Sequence, residues 1–219
     1  MKKIVVANWK CFKTTEESVT WVTEVGSKVR ELSDIDIVVC PSFAALDAVS
    51  RLIEEKGYAL KVCSQTVSSY EQGAYTGEVS AKMLSGLVSY SLVGHSERRS
   101  NFAESNEDIE KKFALSKQYT IEPLLLIRDD QDTIPEGATY FAWEPVNAIG
   151  TGTAIDAQTA DDMVVHLAKG RQGLYGMYGG SVTPENINTY MQSPHLFGVV
   201  VGSASLDPSK FLEMLNAIR

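Results

Sequence analysis

Eight short apolar runs, rich in β-branched and aromatic residues, recur along the chain and alternate with amphipathic segments of helical period. The runs occupy residues 3–8, 35–40, 59–64, 89–94, 120–127, 138–144, 173–178 and 197–202. They are continuously apolar, which is typical of parallel strands covered on both faces. Helical segments between parallel strands form right-handed crossovers. The pattern therefore predicts eight parallel strands joined by helices.

Residues typical of helix starts support this interpretation. Residues 14–17 form a potential capping box, in which Thr and Glu side chains bond free backbone N–H groups. Thr183-Pro184 and Asp207-Pro208 each place a capping oxygen before a proline at the first helical position. Eight strand and helix units in 219 residues favour a (β/α)8 barrel forming a single domain over residues 1–219, with an open doubly wound sheet as the alternative.

One crossover is unusually short. Between the fifth and sixth strands only residues 128–138 remain, and they include Pro135 and Gly137. A parallel crossover usually needs a dozen or more residues. We therefore expect the fifth helix to be shortened or missing.

The net charge of −8, from 20 basic and 28 acidic residues, opposes binding to nucleic acid or to an anionic membrane. The apolar runs are too short to cross a bilayer, and the N-terminal Met-Lys-Lys leads directly into a strand, so we expect a cytoplasmic protein. Cys11, Cys40 and Cys63 are odd in number and lack metal-binding spacing. We expect buried, inert thiols.

Candidate functional residues follow the predicted strands. Parallel strands end on one face of the sheet, and barrel enzymes carry their active sites on that face. The residues found there are Asn8 and Lys10 after the first strand, His95, Ser96 and Glu97 after the fourth, Glu144 after the sixth, and Gly180-Ser181 and Gly202-Ser203 after the last two.

Glu144 ends an apolar strand and precedes a loop rich in Pro, Gly and Thr at residues 145–152. A fixed carboxylate under a closing loop suits a general base, because proton abstraction needs a positioned carboxylate and exclusion of water. The alternative is that Glu144 only marks where a strand meets solvent. Lys10 could hold an anionic substrate, act as the Schiff-base nucleophile of an aldolase-like barrel, or be a solvated lysine.

His95 lies between a strand and a predicted helix start, where the helix dipole disfavours imidazolium. A neutral ring could donate a hydrogen bond to a carbonyl, and a structural hydrogen bond is the alternative. The segments GGSVTPE and VGSASLDP place Gly and Ser before predicted helices. Free N–H groups there favour a phosphate, although helix capping alone would also explain them.

Six segments in this order resemble the triosephosphate isomerase family: VVANWK, GAYTGEVSA, LVGHSERR, WEPVNAIGTG, YGGSVTPENI and VVGSASL. They cover nearly the whole chain. The resemblance implies a TIM barrel that interconverts dihydroxyacetone phosphate and D-glyceraldehyde 3-phosphate through an enediolate, in glycolysis and gluconeogenesis, without metal or other cofactor. In that family a Glu base is paired with a neutral His electrophile.

By motif match, the resemblance implies a role for each site residue. Glu144 would move the proton between carbons, and His95 would polarise the carbonyl. Lys10 would stabilise negative charge, with Asn8 orienting it, and Glu97 would support the lysine or the proton relay. Backbone N–H groups at Gly150, Gly202 and Ser203, with the Ser181 loop, would hold the phosphate, and residues 145–152 would close over it.

The resemblance also implies a homodimer through the loop at residues 66–79. Thr76 would approach the partner's active site, and Glu78 would pair with Arg98 across the interface; an ordinary surface loop is the alternative. The chain departs from the family pattern at five places. In the closing loop, Asn147 replaces a Trp, and no Lys follows Gly152. Elsewhere, Leu-Ile-Arg-Asp at 126–129 replaces Cys-Ile-Gly-Glu, Ser203 replaces a Gly, and Thr66 replaces an Asn. A phosphate-binding dimeric barrel with weak or lost activity is therefore a second hypothesis.

Overall fold

The fold is a closed barrel of eight parallel strands in sequential order, as the apolar runs predict. It is taken from a computed structural model that describes residues 2–29, 34–145 and 154–218. The strands are β1 (Lys3–Asn8), β2 (Ile35–Cys40), β3 (Lys61–Ser64), β4 (Tyr90–Val93), β5 (Glu122–Ile127), β6 (Tyr140–Trp143), β7 (Tyr175–Tyr178) and β8 (Leu196–Val201). β1 pairs with both β2 and β8, which closes the barrel and excludes the open sheet.

The helices pack outside the strands and begin close to the predicted caps. They are α1 (Thr15–Gly26), α2 (Phe43–Lys56), α3 (Ala81–Leu84), α4 (Ser96–Phe102), α5 (Asn106–Gln118), α6 (Ala157–Ala168), α7 (Ile187–Gln192) and α8 (Pro208–Ala217). Thr14 and Glu17 form the predicted capping box of α1. Asp207 caps α8, whose first residue is Pro208.

The predicted helix start at Thr183-Pro184 is wrong, because α7 begins three residues later, at Ile187. The side chain of Asn186 accepts a hydrogen bond from the Thr183 N–H, at 2.8 Å, and so closes a turn ahead of the helix. The glycine and serine residues after β7 therefore do not stand at a helix start.

The short fifth crossover contains no helix. Residues 128–139, which link β5 to β6, form turns and irregular structure throughout. By contrast, the crossover from β4 to β5 carries two helices, α4 and α5. The prediction that the fifth helix would be shortened or missing is confirmed.

The core has two layers, which explains why the strands are apolar on both faces. Along β1, Ile4 and Val6 point into the barrel, where they pack with residues such as Leu92. Val5 and Ala7 belong to the larger layer between the strands and the helices. Cys40 and Cys63 are buried as expected, but Cys11 is exposed, so the expectation of three buried thiols is wrong.

Candidate active site

The carboxyl ends of β1, β4, β6, β7 and β8 surround one cavity of about 520 Å³. Its lining includes Asn8, Lys10, His95, Glu97, Glu144, residues 179–183 and residues 202–204. We call the part formed by Asn8, Lys10, His95, Glu97 and Glu144 the side-chain wall, and the part formed by residues 179–183 and 202–204 the glycine wall. Nine of the ten candidate residues collected at the strand ends, all except Ser96, thus lie around one space.

His95 and Glu144 are in direct contact across the end of β5. The His95 Nε2 lies 3.2 Å from Glu144 Oε1, and both residues are buried, with 5% and 3% of their surfaces exposed. The other carboxylate oxygen, Oε2, accepts a hydrogen bond from the Ser96 N–H at 3.0 Å. One three-carbon molecule in the cavity can therefore touch both side chains.

The hydrogen bonds of His95 fit a neutral ring. His95 is the N-cap residue of α4, and its Nδ1 accepts a hydrogen bond from the Glu97 N–H at 3.1 Å. An accepting nitrogen carries no proton, so the neutral tautomer has its proton on Nε2. In this tautomer the protonated Nε2 is the nitrogen that lies 3.2 Å from Glu144 Oε1.

Lys10 is held in an uncommon backbone conformation beside the cavity. Its φ is +51°, a value that non-glycine residues rarely adopt. Its N–H donates to Asn8 Oδ1 at 3.1 Å, and its Nζ forms an ion pair with Glu97. A lysine paired with a carboxylate lacks the apolar or cationic surroundings that activate a Schiff-base nucleophile, which disfavours that hypothesis.

Gln65 is a site residue that the sequence analysis missed. Its Nε2 donates to the carbonyls of Lys10 at 2.8 Å and Cys40 at 2.9 Å, so it ties β3 to the strained turn after β1. Its position directly after β3, on the active-site face, could have identified it. Gln65 stabilises the Lys10 backbone and does not line the cavity.

The glycine wall offers backbone rather than side-chain groups. In the part of the chain that the structure describes, the N–H groups of Gly202 and Ser203 have no hydrogen-bond acceptor. Residues 203–205 form a short 3-10 helix. On the other side, Asn186 Nδ2 donates to the Ser181 carbonyl at 3.1 Å and so fixes the loop after β7.

Glycine is required at Gly180 because of close packing. A Cβ atom at that position would lie 2.1 Å from the Tyr178 hydroxyl oxygen. Tyr178 is fully buried, stacks on Tyr190 and accepts a hydrogen bond from the Ile155 N–H, so its ring has little room to move. This part of the glycine wall is therefore closely packed from behind.

The remaining predicted site residues lie elsewhere. Gly150 and most of the predicted closing loop at 145–152 lie outside the described residues. Thr76 and Glu78 are exposed in the loop before α3, away from the cavity lining. Arg98 forms an ion pair with Glu104 of the same chain at 2.5 Å.

The family model described as Triosephosphate isomerase matches residues 3–218. The chain belongs to the triosephosphate isomerase family. It is accordingly an isomerase, and membership in the triosephosphate isomerase family implies a triose phosphate as its substrate. Among the helices that the structure describes, none combines the length and the apolar composition of a membrane span. Residues 2–29, 34–145 and 154–218 also contain no group of three or more His, Cys, Asp or Glu side chains that could hold a metal ion.

Proposed function

We propose that this chain interconverts dihydroxyacetone phosphate and D-glyceraldehyde 3-phosphate through an enediolate, with Glu144 as base and neutral His95 as electrophile. The observation that carries the mechanism is the contact of 3.2 Å between His95 Nε2 and Glu144 Oε1 on the wall of the cavity. General acid and base catalysis requires such groups within reach of one substrate. Residues 1–219 act as one barrel domain in this proposal.

Glu144 changes partners during the reaction in this proposal. Its Oε1 lies 3.2 Å from His95 Nε2, and its Oε2 accepts a hydrogen bond from the Ser96 N–H. A base needs a free lone pair toward the carbon-bound proton. The carboxylate therefore turns away from these donors when substrate binds, and the released Nε2–H of His95 donates to the substrate carbonyl oxygen.

The charge that develops on the enediolate oxygens is stabilised by His95 and Lys10. The ammonium group of Lys10 lies at the cavity and is oriented by Asn8 and Glu97. Such fixed charges act strongly where water is excluded. Glu97 contributes twice, because its carboxylate pairs with Lys10 and its N–H holds His95 Nδ1.

The phosphate binds at the glycine wall. Ser181, Gly202 and Ser203 line the same cavity as the side-chain wall. Backbone N–H groups bind phosphate well because several can point at one anion. Gly150, which lies outside the described residues, supplies a further donor in this proposal, and residues 145–152 close over the bound substrate.

We further propose a cytoplasmic homodimer. Large apolar side chains are exposed close to the predicted interface loop; they are Tyr70, Tyr75, Met83 and Phe102. A second copy would cover them, with Thr76 entering the partner's site and Glu78 pairing with Arg98. Light scattering should give twice the chain mass of 24.0 kDa, and a monomer mass would overturn this part.

The decisive experiment is a coupled assay of isomerisation in both directions with purified protein. We expect turnover with triose phosphates, inhibition by inorganic phosphate, and no loss after treatment with a chelator. Binding of a substrate analogue without turnover would instead favour the phosphate-binding barrel that lacks activity. Trapping of substrate on Lys10 by borohydride would favour the Schiff-base alternative.

A further inference from the structure

The crossover without a helix buries one acidic side chain, that of Asp132. Its carboxylate is 1% exposed, although Asp129 and Asp130 of the same loop are exposed. It accepts hydrogen bonds from three groups of Arg128, the N–H at 2.8 Å, Nε at 3.0 Å and Nη2 at 2.7 Å. It also forms an ion pair with Arg99 at 3.4 Å. A buried carboxylate needs such partners.

Arg99 connects this loop to the turn that carries His95. It lies on α4, the helix that His95 caps, and its side chain is 4% exposed. Its Nε donates to the Gly94 carbonyl at 3.0 Å, and its Nη1 donates to Asn106 Oδ1 at 2.9 Å. Asp132 thus supplies the negative charge that a buried guanidinium requires.

The Gly94 backbone is fixed on both sides by buried side chains. Its carbonyl is held by Arg99, and its N–H donates to Glu104 Oε1 at 3.2 Å. Its φ is +84°, and a Cβ at this position would lie 3.2 Å from the Leu126 carbonyl oxygen, so there is little free space. Because Gly94 directly precedes His95, a shift of this backbone changes the direction of the imidazole.

We propose that Asp132 is a positioning residue for His95, acting through Arg99 and the Gly94 carbonyl. This inference rests on the proposed function of His95. Asp132 does not line the cavity.

Kinetic measurements distinguish a positioning role of Asp132 from a general contribution to stability. A residue that only stabilises the barrel would lower the melting temperature and leave each folded molecule fully active. A positioning residue changes kcat, because displacement of a catalytic group by a fraction of an ångström slows the chemical step. It leaves substrate affinity at the glycine wall almost unchanged.

The test compares Asp132→Asn with Asp130→Asn, which removes the same charge from an exposed position of the same loop. We expect Asp132→Asn to lower kcat about tenfold, with KM and phosphate inhibition within about twofold of wild type. Asp130→Asn should match wild type. The ¹⁵N resonances of the His95 ring should shift in Asp132→Asn alone.

A second pair of variants tests whether Asp132 acts through the His95 ring. In a His95→Gln background, Asp132→Asn should cause no further loss of kcat, because its effect passes through the ring. If Asp132→Asn does not fold, Arg99→Lys, which keeps the charge and loses the planar donors, should give the same fall in kcat and the same ¹⁵N shift. A lower melting temperature with unchanged kcat and unchanged His95 resonances would overturn the proposal. If wild type shows no isomerisation, the proposed function fails. The ¹⁵N resonances of His95 still test whether Asp132 positions the ring.

Discussion

The two walls of the cavity are built in different ways. The side-chain wall brings charged and titratable groups together from three strands, and buried ion pairs behind it hold the backbone of Gly94. The glycine wall presents backbone groups and is held from behind by hydroxyl and amide groups such as those of Tyr178 and Asn186. In the function that we propose, the chemistry depends on the first wall and the binding of phosphate depends on the second. Substitutions should therefore separate kcat from KM.

The largest expected effect is that of Glu144→Gln on the side-chain wall. The amide keeps the shape of the carboxylate but cannot accept a proton, so kcat should fall by about 10²- to 10⁴-fold. KM and inhibition by inorganic phosphate should change little, because the glycine wall is intact. Steady-state kinetics on the purified variant measure both. A kcat near that of wild type would remove Glu144 from the role of base.

The second effect concerns the ion pairs behind the side-chain wall. Burial alone would raise the pKa of Glu104, but Lys112 and Arg98 more than offset it, and the pKa lies below its ordinary value of 4.5. Glu104→Gln leaves both cations without this partner and should lower the free energy of unfolding at pH 7 by about 3–5 kcal/mol.

The pH dependence of this loss follows from the sign of the shift. A carboxylate with a lowered pKa stabilises the folded state above its ordinary pKa of 4.5, and the contribution is lost as the pH falls through the lower, folded value. The difference between wild type and Glu104→Gln should therefore shrink below about pH 4.5. Urea unfolding from pH 7 to pH 3 measures it, with the exposed Glu107→Gln as the matched control. If the difference in unfolding free energy between wild type and Glu104→Gln stayed constant with pH, it would contradict the lowered pKa of Glu104.

The third effect tests the close packing of the glycine wall. In Gly180→Ala the added methyl group meets the Tyr178 hydroxyl, so residues 179–183 must move. Overpacking of this kind costs roughly 1–3 kcal/mol. If this cost falls on residues 179–183, which bind the phosphate in our proposal, KM rises roughly tenfold while kcat stays within about threefold.

The control for Gly180→Ala is Gly86→Ala, which has open space around the new Cβ but a φ of +83°. This variant should lose stability without any change in KM. An increase in KM in both variants would show that the effect of Gly180→Ala is a general loss of stability. An unchanged KM in Gly180→Ala would mean that the loop absorbs the methyl group without loss of binding.

The sequence predicted the barrel and much of the side-chain wall, for identifiable reasons. Continuous apolar runs report strands covered on both faces, and the length of the fifth crossover left no room for a helix. Residues directly after strands could be collected without coordinates, because all strands end on one face. The charges behind the wall could not be predicted, since pairs such as Asp132 with Arg99 depend on how distant segments pack. The start of α7 was missed because residues 183–186 form a separate turn, in which the Thr183 carbonyl accepts from the Asn186 N–H and the Thr183 N–H donates to the Asn186 side chain.

The smallest expected effect belongs to Asn186, which supports the glycine wall from the N-cap position of α7. Its Oδ1 accepts from the Thr183 N–H, and its Nδ2 donates to the Ser181 carbonyl, so Asn186→Ala removes two hydrogen bonds that fix the loop. A net loss of about 1 kcal/mol in binding corresponds to a KM about fivefold higher, with kcat unchanged. Asn188→Ala, on the same helix and outside the cavity lining, should leave both constants at the wild-type value. A fall in kcat in Asn186→Ala would show instead that the two walls are coupled, because the hydrogen bonds that fix the loop after β7 would then also control the chemical step.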